Sequence, residues 1–256
     1  MIDQGSAIAL IPARAGSKRL PGKNTRAFFG HPMMAYGISA ALNSKLFARV
    51  IVSSDDPAVG EISRWYGAEF MQRPPELATD TATLVDVARH VLDTLRGRGE
   101  TPVTLCQIMP NCPLVRSEDL LDHWRLFHNE NRKFQISVVR YRGVYPHWAL
   151  AADAGCCGKW LFGKEYLVRS QELPHVFCPT GAIWLVRTED FLAQGAFYGS
   201  PFHLAPIDAN RGIDIDDAED LALAEVLVHG LNARDGGPGL EPISRQCFLQ
   251  VGAPRG

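Results

Sequence analysis

The sequence contains no Cys-x-x-Cys pair, and its six cysteines (Cys106, Cys112, Cys156, Cys157, Cys178 and Cys247) show no His/Cys ligand spacing. Neither a zinc site nor a disulfide framework is indicated, and the cysteines read as reduced thiols. No apolar run approaches the roughly 18 residues that would span a bilayer. The start, Met1-Ile-Asp-Gln-Gly, lacks the basic segment of a signal peptide. The expectation is a cytoplasmic protein with no membrane partner. No charge dominates, with 26 Lys and Arg against 28 Asp and Glu for a net charge of -2. Without a basic stripe beyond one loop, nucleic acid is not an expected partner. Among the eight histidines there is no His-x-x-x-His, and no Gly-x-Ser-x-Gly elbow for serine hydrolysis occurs.

Two phosphate-binding patterns are also missing. Five residues separate Gly16 from Gly22 where a Walker A loop has four, Lys23 is followed by Asn24, and Pro21 interrupts the loop, so a Walker A spacing fails. With only those two glycines there, the dinucleotide Gly-x-Gly-x-x-Gly fails too. What the loop does contain is Arg14, Lys18, Arg19, Lys23 and Arg26 without one acidic residue. Ala15, Gly16 and Ser17 carry little side chain, so backbone N–H groups there can approach an anion. Arginine forks and lysine point charges complete a polyphosphate cradle. The alternative is a solvated basic loop; its place directly after an apolar run favours the cradle.

That run, residues 7–13, reads as a strand buried on both faces of a parallel sheet. A helix is expected over 32–42, a strand over 50–54, and a helix from the cap Asp56 and Pro57 to 66. Strands follow at 69–72, 103–109 and 135–140, with helices at 83–96 and 117–129 between them. The alternation predicts an α/β fold with a doubly wound, mostly parallel sheet in one domain, residues 1–231. Residues 141–180 break the rhythm with Tyr145, Trp148, Trp160, Phe162, Tyr166 and Phe177. They read as an insertion, either a satellite core or an arm that packs against a second copy, and the dimerisation arm is preferred. A strand at 181–186 and helices at 188–194 and 218–229 close the domain. From 232 to 256, Gly236, Gly237, Pro238, Gly239, Pro242 and Pro254 suggest a poorly ordered tail.

In an open α/β sheet, ligands lie beyond the carboxyl ends of the strands. The candidate segments are therefore 14–24, 53–55, Arg73, 109–114 and 208–216. In Gly212-Ile-Asp-Ile-Asp-Asp the alternation puts Asp214 and Asp216 on one face. Mg²⁺ takes one or two carboxylates together with substrate phosphates, which this pair offers opposite a cationic loop. The competing role is helix capping, assigned here to Asp217.

Three segments carry a resemblance: Ile11-Pro-Ala-Arg-Ala-Gly-Ser-Lys with Lys23-Asn24, Arg73-Pro-Pro-Glu-Leu-Ala-Thr-Asp-Thr-Ala82, and Ile213-Asp-Ile-Asp216. In that order they resemble the acylneuraminate cytidylyltransferase family, the CMP-sialic acid synthetases. The likeness runs from about residue 7 to 229. It implies a Rossmann-like sheet of the nucleotide-diphospho-sugar transferase type and a homodimer with an inserted arm. The implied reaction is CTP + nonulosonate → CMP-nonulosonate + diphosphate with Mg²⁺, a step in building cell-surface polysaccharide. The partners implied are thus CTP and a free nine-carbon keto sugar acid.

By resemblance, Arg14, Ala15, Gly16, Ser17, Lys18, Lys23 and Asn24 hold the CTP phosphates, while Arg73, Ala82 and Met109 bound the cytosine. Arg14, Lys23 and Asp214 are the implied catalytic residues, Lys23 facing the α-phosphate and Asp214 assisting deprotonation of the anomeric hydroxyl. Asp214 and Asp216 are the implied metal ligands. Arg169, Thr180, Trp184, Phe197 and Tyr198 are the implied sugar contacts, with Arg169 supplied by the partner subunit.

The chain departs from the sialic acid pattern at Cys178, where Arg is usual, at Thr180, where Asn is usual, and at Met109-Pro-Asn-Cys-Pro113, where the family has Gln-Pro-Thr-Ser-Pro. Pro146-His-Trp-Ala-Leu150 and Arg169-Ser-Gln-Glu-Leu173 are similar to pseudaminic acid enzymes, whereas Gly181-Ala-Ile-Trp184 is closer to sialic or legionaminic ones. The expectation is a pseudaminate-like acceptor, with N-acetylneuraminate or legionaminate next. The rival reaction is that of CMP-Kdo synthetase, which shares Arg-Leu-Pro-Gly-Lys but normally continues with Pro rather than Asn24. A sugar-1-phosphate nucleotidyltransferase is a more distant rival, and from another class comes a non-catalytic nucleotide-binding protein.

Overall fold

The computed structural model describes residues 7–235 and 240–243. At its centre is β1 (Ala7–Pro12), buried at every position. Its odd residues Ala7, Ala9 and Ile11 face one core cluster and Ile8 and Leu10 face another. An unbroken apolar run is what such two-sided burial requires, each Ile or Leu contributing about 1.5–3 kcal/mol.

After β1 come a short hairpin of β2 (Ala27–Phe28) and β3 (His31–Pro32), then α1 (Met33–Ser44), β4 (Arg49–Ser54), α2 (Pro57–Trp65) and β5 (Glu69–Gln72). There follow α3 (Leu84–Gly97), β6 (Thr104–Gln107), α4 (Ser117–Asn129) and β7 (Phe134–Arg140). A second hairpin, β8 (Leu150–Ala152) with β9 (Gly158–Trp160), precedes β10 (Phe177–Arg187), α5 (Thr188–Gln194), β11 (His203–Pro206) and α6 (Ala218–Asp235). The seven-stranded sheet runs β11-β7-β10-β6-β1-β4-β5. Only β10 is antiparallel to its neighbours. Helices α1, α2 and α4 contribute to the cluster on one face and α3 and α5 to that on the other, which makes the sheet doubly wound.

Local chemistry sets the helix starts. Asp56 accepts the N–H of Ala58 at 2.8 Å with Pro57 in the first turn, and Thr83 and Asp86 form a reciprocal capping box. β1 sits between β4 and β6, so the chain leaves it toward one side for β4 and β5 and toward the other for β6. This switch of direction opens a crevice at the carboxyl ends of β1 and β6.

Two expectations are revised. The helix expected to stop at 229 continues to Asp235, so a tail boundary at 232 would cut α6. Within the expected tail, Leu240 and Glu241 are buried; their apolar and polar partners, described below, outweigh the local Gly/Pro composition. The rest of that tail, Cys247 and residues 1–6 lie outside the described residues. Cys106, Cys112, Cys156, Cys157 and Cys178 are free thiols. No helix among the described residues is long and apolar enough to cross a membrane.

The insertion is a compact excursion. It leaves β7 and returns into β10, whose first residues pair with the last of β7, Phe177 opposite Arg140. Hairpin β8–β9 is exposed along its whole length, and Trp160 stacks on Tyr166 with centroids 4.3 Å apart.

Candidate functional site

A cavity of about 520 Å³ lies in the crevice beyond β1 and β6, within the size range of cofactor sites. Pro12, the last residue of β1, and Met109, two residues past the end of β6, line it. So do Arg14, Ser17, Lys18, Arg19, Lys23 and Asn24 from the first loop, Arg73, Asp80 and Ala82 from the segment after β5, and Asn111 and Asp216. Four sequence-distant segments thus converge on one volume.

The loop is fixed by its own polar contacts. Asn24 is buried and donates through Nδ2 to the Arg14 carbonyl at 2.9 Å, which closes the loop on itself. Gly22 has φ +66°, a left-handed conformation that glycine adopts without strain and that starts the turn carrying Lys23. Ala15 and Gly16 do not line the cavity, and the Ala15 N–H donates to Asp55 Oδ1 at 3.0 Å. This differs from the expectation of a backbone nest at those residues: the Asp55 carboxylate already takes the amide.

The cations are paired with carboxylates around the cavity. Arg14 donates to Asp80 Oδ1 at 3.0 Å and Lys18 to Asp80 Oδ2 at 2.5 Å. These hydrogen bonds, Lys18 first, hold the Asp80 carboxyl below the usual range. Lys23 donates to Asp216 Oδ1 at 2.8 Å, and Arg19 pairs with Asp216 Oδ2. Partial burial would raise the Asp216 carboxyl, yet Lys23 and Arg19 outweigh it and the net shift is downward. Arg73 is buried, donating to the Ser53 carbonyl at 2.8 Å and approaching Ser53 Oγ at 3.4 Å; burial lowers its guanidinium from the ordinary value.

Asp214 stands behind Asp216. Asn111, which falls within the candidate segment 109–114 but has no role assigned from the sequence, joins them: its Nδ2 donates to Asp214 Oδ1, to Asp216 Oδ1 at 3.3 Å and to the Ile215 carbonyl at 3.1 Å. Ile215 N–H donates back to the Asn111 carbonyl at 2.9 Å. Burial, then the neighbouring charge of Asp216, pushes the Asp214 carboxyl up. The buried Cys112 thiol is pushed well up, chiefly by burial and then by Asp214. Gly181 of β10 passes close by, and a Cβ there would lie 2.7 Å from Met109 Cγ and 3.1 Å from Asp214 Oδ2. Asp217 caps α6, accepting the N–H groups of Glu219 and Asp220, which leaves Asp216 to face the cavity.

Among the described residues no group of three or more His, Cys, Asp or Glu could hold a metal ion. The donors present are two carboxylates and the buried Asn111 Oδ1, which has no hydrogen-bond partner. An all-oxygen set with two carboxylates, of which Asp216 faces the cationic loop and Asp214 lies behind it, fits Mg²⁺.

The expected sugar contacts are placed differently. Trp184 and Phe197 belong to the core cluster under β10, with ring centroids 5.4 Å apart, and Trp184 Nε1 donates to the Thr180 carbonyl at 2.6 Å. The Thr180 hydroxyl is buried 2.8 Å from Ser137 Oγ. Thr180 lies within, and Trp184 at the end of, the stretch of β10 where the pairing register shifts, and Phe197 lies beyond α5. Tyr198 lines a separate apolar trough of about 420 Å³ with Phe177, Phe202 and Leu204, and Arg169 is exposed on the insertion. Of the four contacts expected from the same chain, none lines the crevice cavity.

A family model described as cytidylyltransferase matches residues 8–145. N-acylneuraminate cytidylyltransferase of Escherichia coli is 32% identical over 218 residues, 85% of this chain and 51% of that protein, so the chain spans about half its length. Pseudaminic acid cytidylyltransferase of Campylobacter jejuni is 28% identical over 86% of this chain and 95% of its own. CMP-N,N'-diacetyllegionaminic acid synthase of Legionella pneumophila is 32% identical, with the same coverage of each chain. Among solved structures, a CMP:2-keto-3-deoxy-manno-octonic acid synthetase complexed with CTP superposes with a TM-score of 0.63 at 17% identity, covering 88% of this chain and 98% of that one. That likeness is one of fold. On the matched model and the Legionella relative, the chain belongs to the cytidylyltransferase family.

Proposed function

We propose that this protein transfers the cytidylyl group of CTP to the free anomeric hydroxyl of a nonulosonic acid, releasing diphosphate. The single observation that carries this reading is the crevice cavity, where Arg14, Lys18, Arg19 and Lys23 converge beside Asp216 and Asn111. The three named relatives support the acceptor class. Stretches 146–150 and 169–173 support a pseudaminate-like sugar; the 32% identity to the legionaminic synthase keeps that acceptor as a second reading.

In this reading the cations of the loop hold the triphosphate, and Arg73, braced by Ser53, meets the acceptor edge of cytosine. Lys23 is placed to stabilise charge that develops on the α-phosphate as the hydroxyl attacks in line. Asp214 is the carboxylate that receives the hydroxyl proton. Asp214, Asp216 and Asn111 would hold Mg²⁺, which when bound supplies charge neutralisation at the phosphates. Catalysis then rests mainly on positioning and electrostatics. A cytoplasmic homodimer completes the proposal; an exposed hairpin with Leu150, Trp160, Leu161 and Phe162 uncovered supports an arm that packs on a second copy.

The test is diphosphate release from CTP and Mg²⁺ with pseudaminic, legionaminic, N-acetylneuraminic and deaminoneuraminic acids and Kdo. Release with a nine-carbon acid is expected. Release with Kdo alone, or CTP binding without release on any sugar, would reject the reading.

A further inference from the structure

Beneath the cavity lies an apolar cluster that includes residues from four parts of the chain next to the site, together with residues of β2, α1 and α6. Leu20 comes from the loop between Arg19 and Lys23, Leu114 from the segment carrying Asn111, and Ile215 from between Asp214 and Asp216. Leu240 comes from the stretch after α6, and it is 8% exposed. Glu241, the next residue, is 3% exposed. Its Oε1 accepts from Asn43 Nδ2 at 2.7 Å, and its Oε2 accepts from Ser117 N–H at 2.8 Å and Ser117 Oγ at 3.3 Å. Asn43 Nδ2 also reaches the Pro242 carbonyl at 3.0 Å, and Arg116 Nη2 reaches the Leu240 carbonyl at 3.4 Å.

Ser117 is the first residue of α4, so Glu241 satisfies a backbone N–H that the helix itself leaves open and sets a negative charge at the helix start. A buried carboxylate is costly unless its oxygens are hydrogen-bonded, and here both are. The start of α4 is also the end of the segment that carries Asn111, which ties itself to Ile215 by a reciprocal pair of hydrogen bonds. An unbroken physical path therefore joins Glu241 to Asp214 and Asp216, and Leu240 touches the same cluster as Leu20 of the cationic loop.

We propose that Glu241 is a positioning residue for the cytidylyl-transfer site: it clamps the start of α4 against α1 and thereby fixes Asn111, Asp214, Asp216 and Lys23 relative to one another. It touches no substrate. The inference rests on the reading of the cavity given above, and it assigns a role to a segment well beyond the residues matched by the family model.

The test compares the full chain with Glu241→Gln, which keeps the side-chain volume and one acceptor, and with Asn43→Ala, which removes the opposite donor. Amide hydrogen exchange of peptides spanning 108–116 and 212–217 is expected to quicken about tenfold in both variants, as loss of a charge-assisted bond makes local opening easier. Exchange across β4 should stay at the parent rate. Turnover should fall roughly tenfold to a hundredfold, with KM for CTP held within about twofold, because binding survives while alignment does not. Local quickening with reduced turnover supports the proposal. Uniform quickening that includes β4, local quickening with unchanged turnover, or no change in either measurement would overturn it. If exchange quickens locally while the parent protein turns over no nonulosonate, the clamp stands and the assigned reaction falls.

Discussion

Lys23 Nζ stands 2.8 Å from Asp216 Oδ1, a cation of the phosphate loop in direct contact with a carboxylate reached almost at the end of the sheet-forming chain. The lysine side chain is only 14% exposed and the aspartate 35%. The pair brings the two chemical halves of the cavity within one hydrogen bond.

In the proposed reaction Lys23 faces the α-phosphate, and replacing it with Ala removes that charge. Turnover is expected to fall by about 10²–10³, the scale for loss of one preorganised transition-state donor. Steady-state diphosphate release checks this, and an unaltered kcat would displace Lys23 from that role.

Asp80 occupies two cations, Arg14 and Lys18, that a triphosphate would use. Asp80→Asn should therefore tighten CTP binding, by about twofold to fivefold at low salt and less as salt is raised. Titration calorimetry at two ionic strengths decides the matter; weaker binding would mean that Asp80 orients the cations rather than competing for them.

At Gly181 a methyl group has nowhere to go without displacing Met109 or Asp214. Gly181→Ala is expected to destabilise the fold by about 1–3 kcal/mol through overpacking and to lower turnover by moving Asp214. Urea unfolding and activity should change together, and a variant with parent values in both would show that the neighbours give way freely.

His123 of α4 is buried, and burial lowers its imidazole from the ordinary 6.5 to about 4. The neutral ring is thus favoured in the folded chain. Its contribution is fully present above pH 6.5 and is lost as pH falls from 6.5 toward 4, about 3 kcal/mol in all. Unfolding free energy measured across that window should fall less steeply in His123→Phe than in the parent; equal slopes would place the acid sensitivity elsewhere.

For the arm, Trp160→Asp puts a charge where Trp160 stacks on Tyr166. The expected result is a shift from dimer to monomer in analytical ultracentrifugation. A parent protein that is already monomeric would remove the homodimer from the proposal.

The central half of the sheet was legible because its signals are local: the apolar run of β1, the cap at Asp56 and the alternation around Asp214 each follow from a few adjacent residues. The segments at the strand ends were legible for the same reason, since a doubly wound order fixes which loops meet. The role of Asn111 within its segment was not, because an isolated amide carries no pattern and its partners lie about a hundred residues away. Asp80 lies inside the segment that carried the resemblance, but its pairing with Arg14 and Lys18 depends on how two loops approach. The resemblance led to Trp184 and Phe197 as sugar contacts, and both rings pack in the core cluster, Trp184 on β10 past a register shift that a run of apolar residues does not show and Phe197 in the segment after α5. Nor does such a run reveal that β10 is antiparallel. The burial of Leu240 and Glu241 ran against a Gly/Pro-rich neighbourhood, whose local bias is weaker than a buried carboxylate with every oxygen bonded.

The insertion begins and ends on adjacent antiparallel strands, with Tyr141 N–H bonded to the Val176 carbonyl where the two ends meet. Its endpoints are therefore fixed by the sheet whatever lies between them. Doubling the length of a flexible excursion of this kind adds only about 0.6 kcal/mol of closure entropy. Its length and sequence can therefore change at small thermodynamic penalty to the fold while the crevice beyond β1 and β6 stays untouched, so divergence of the outer segment is decoupled from preservation of the inner one.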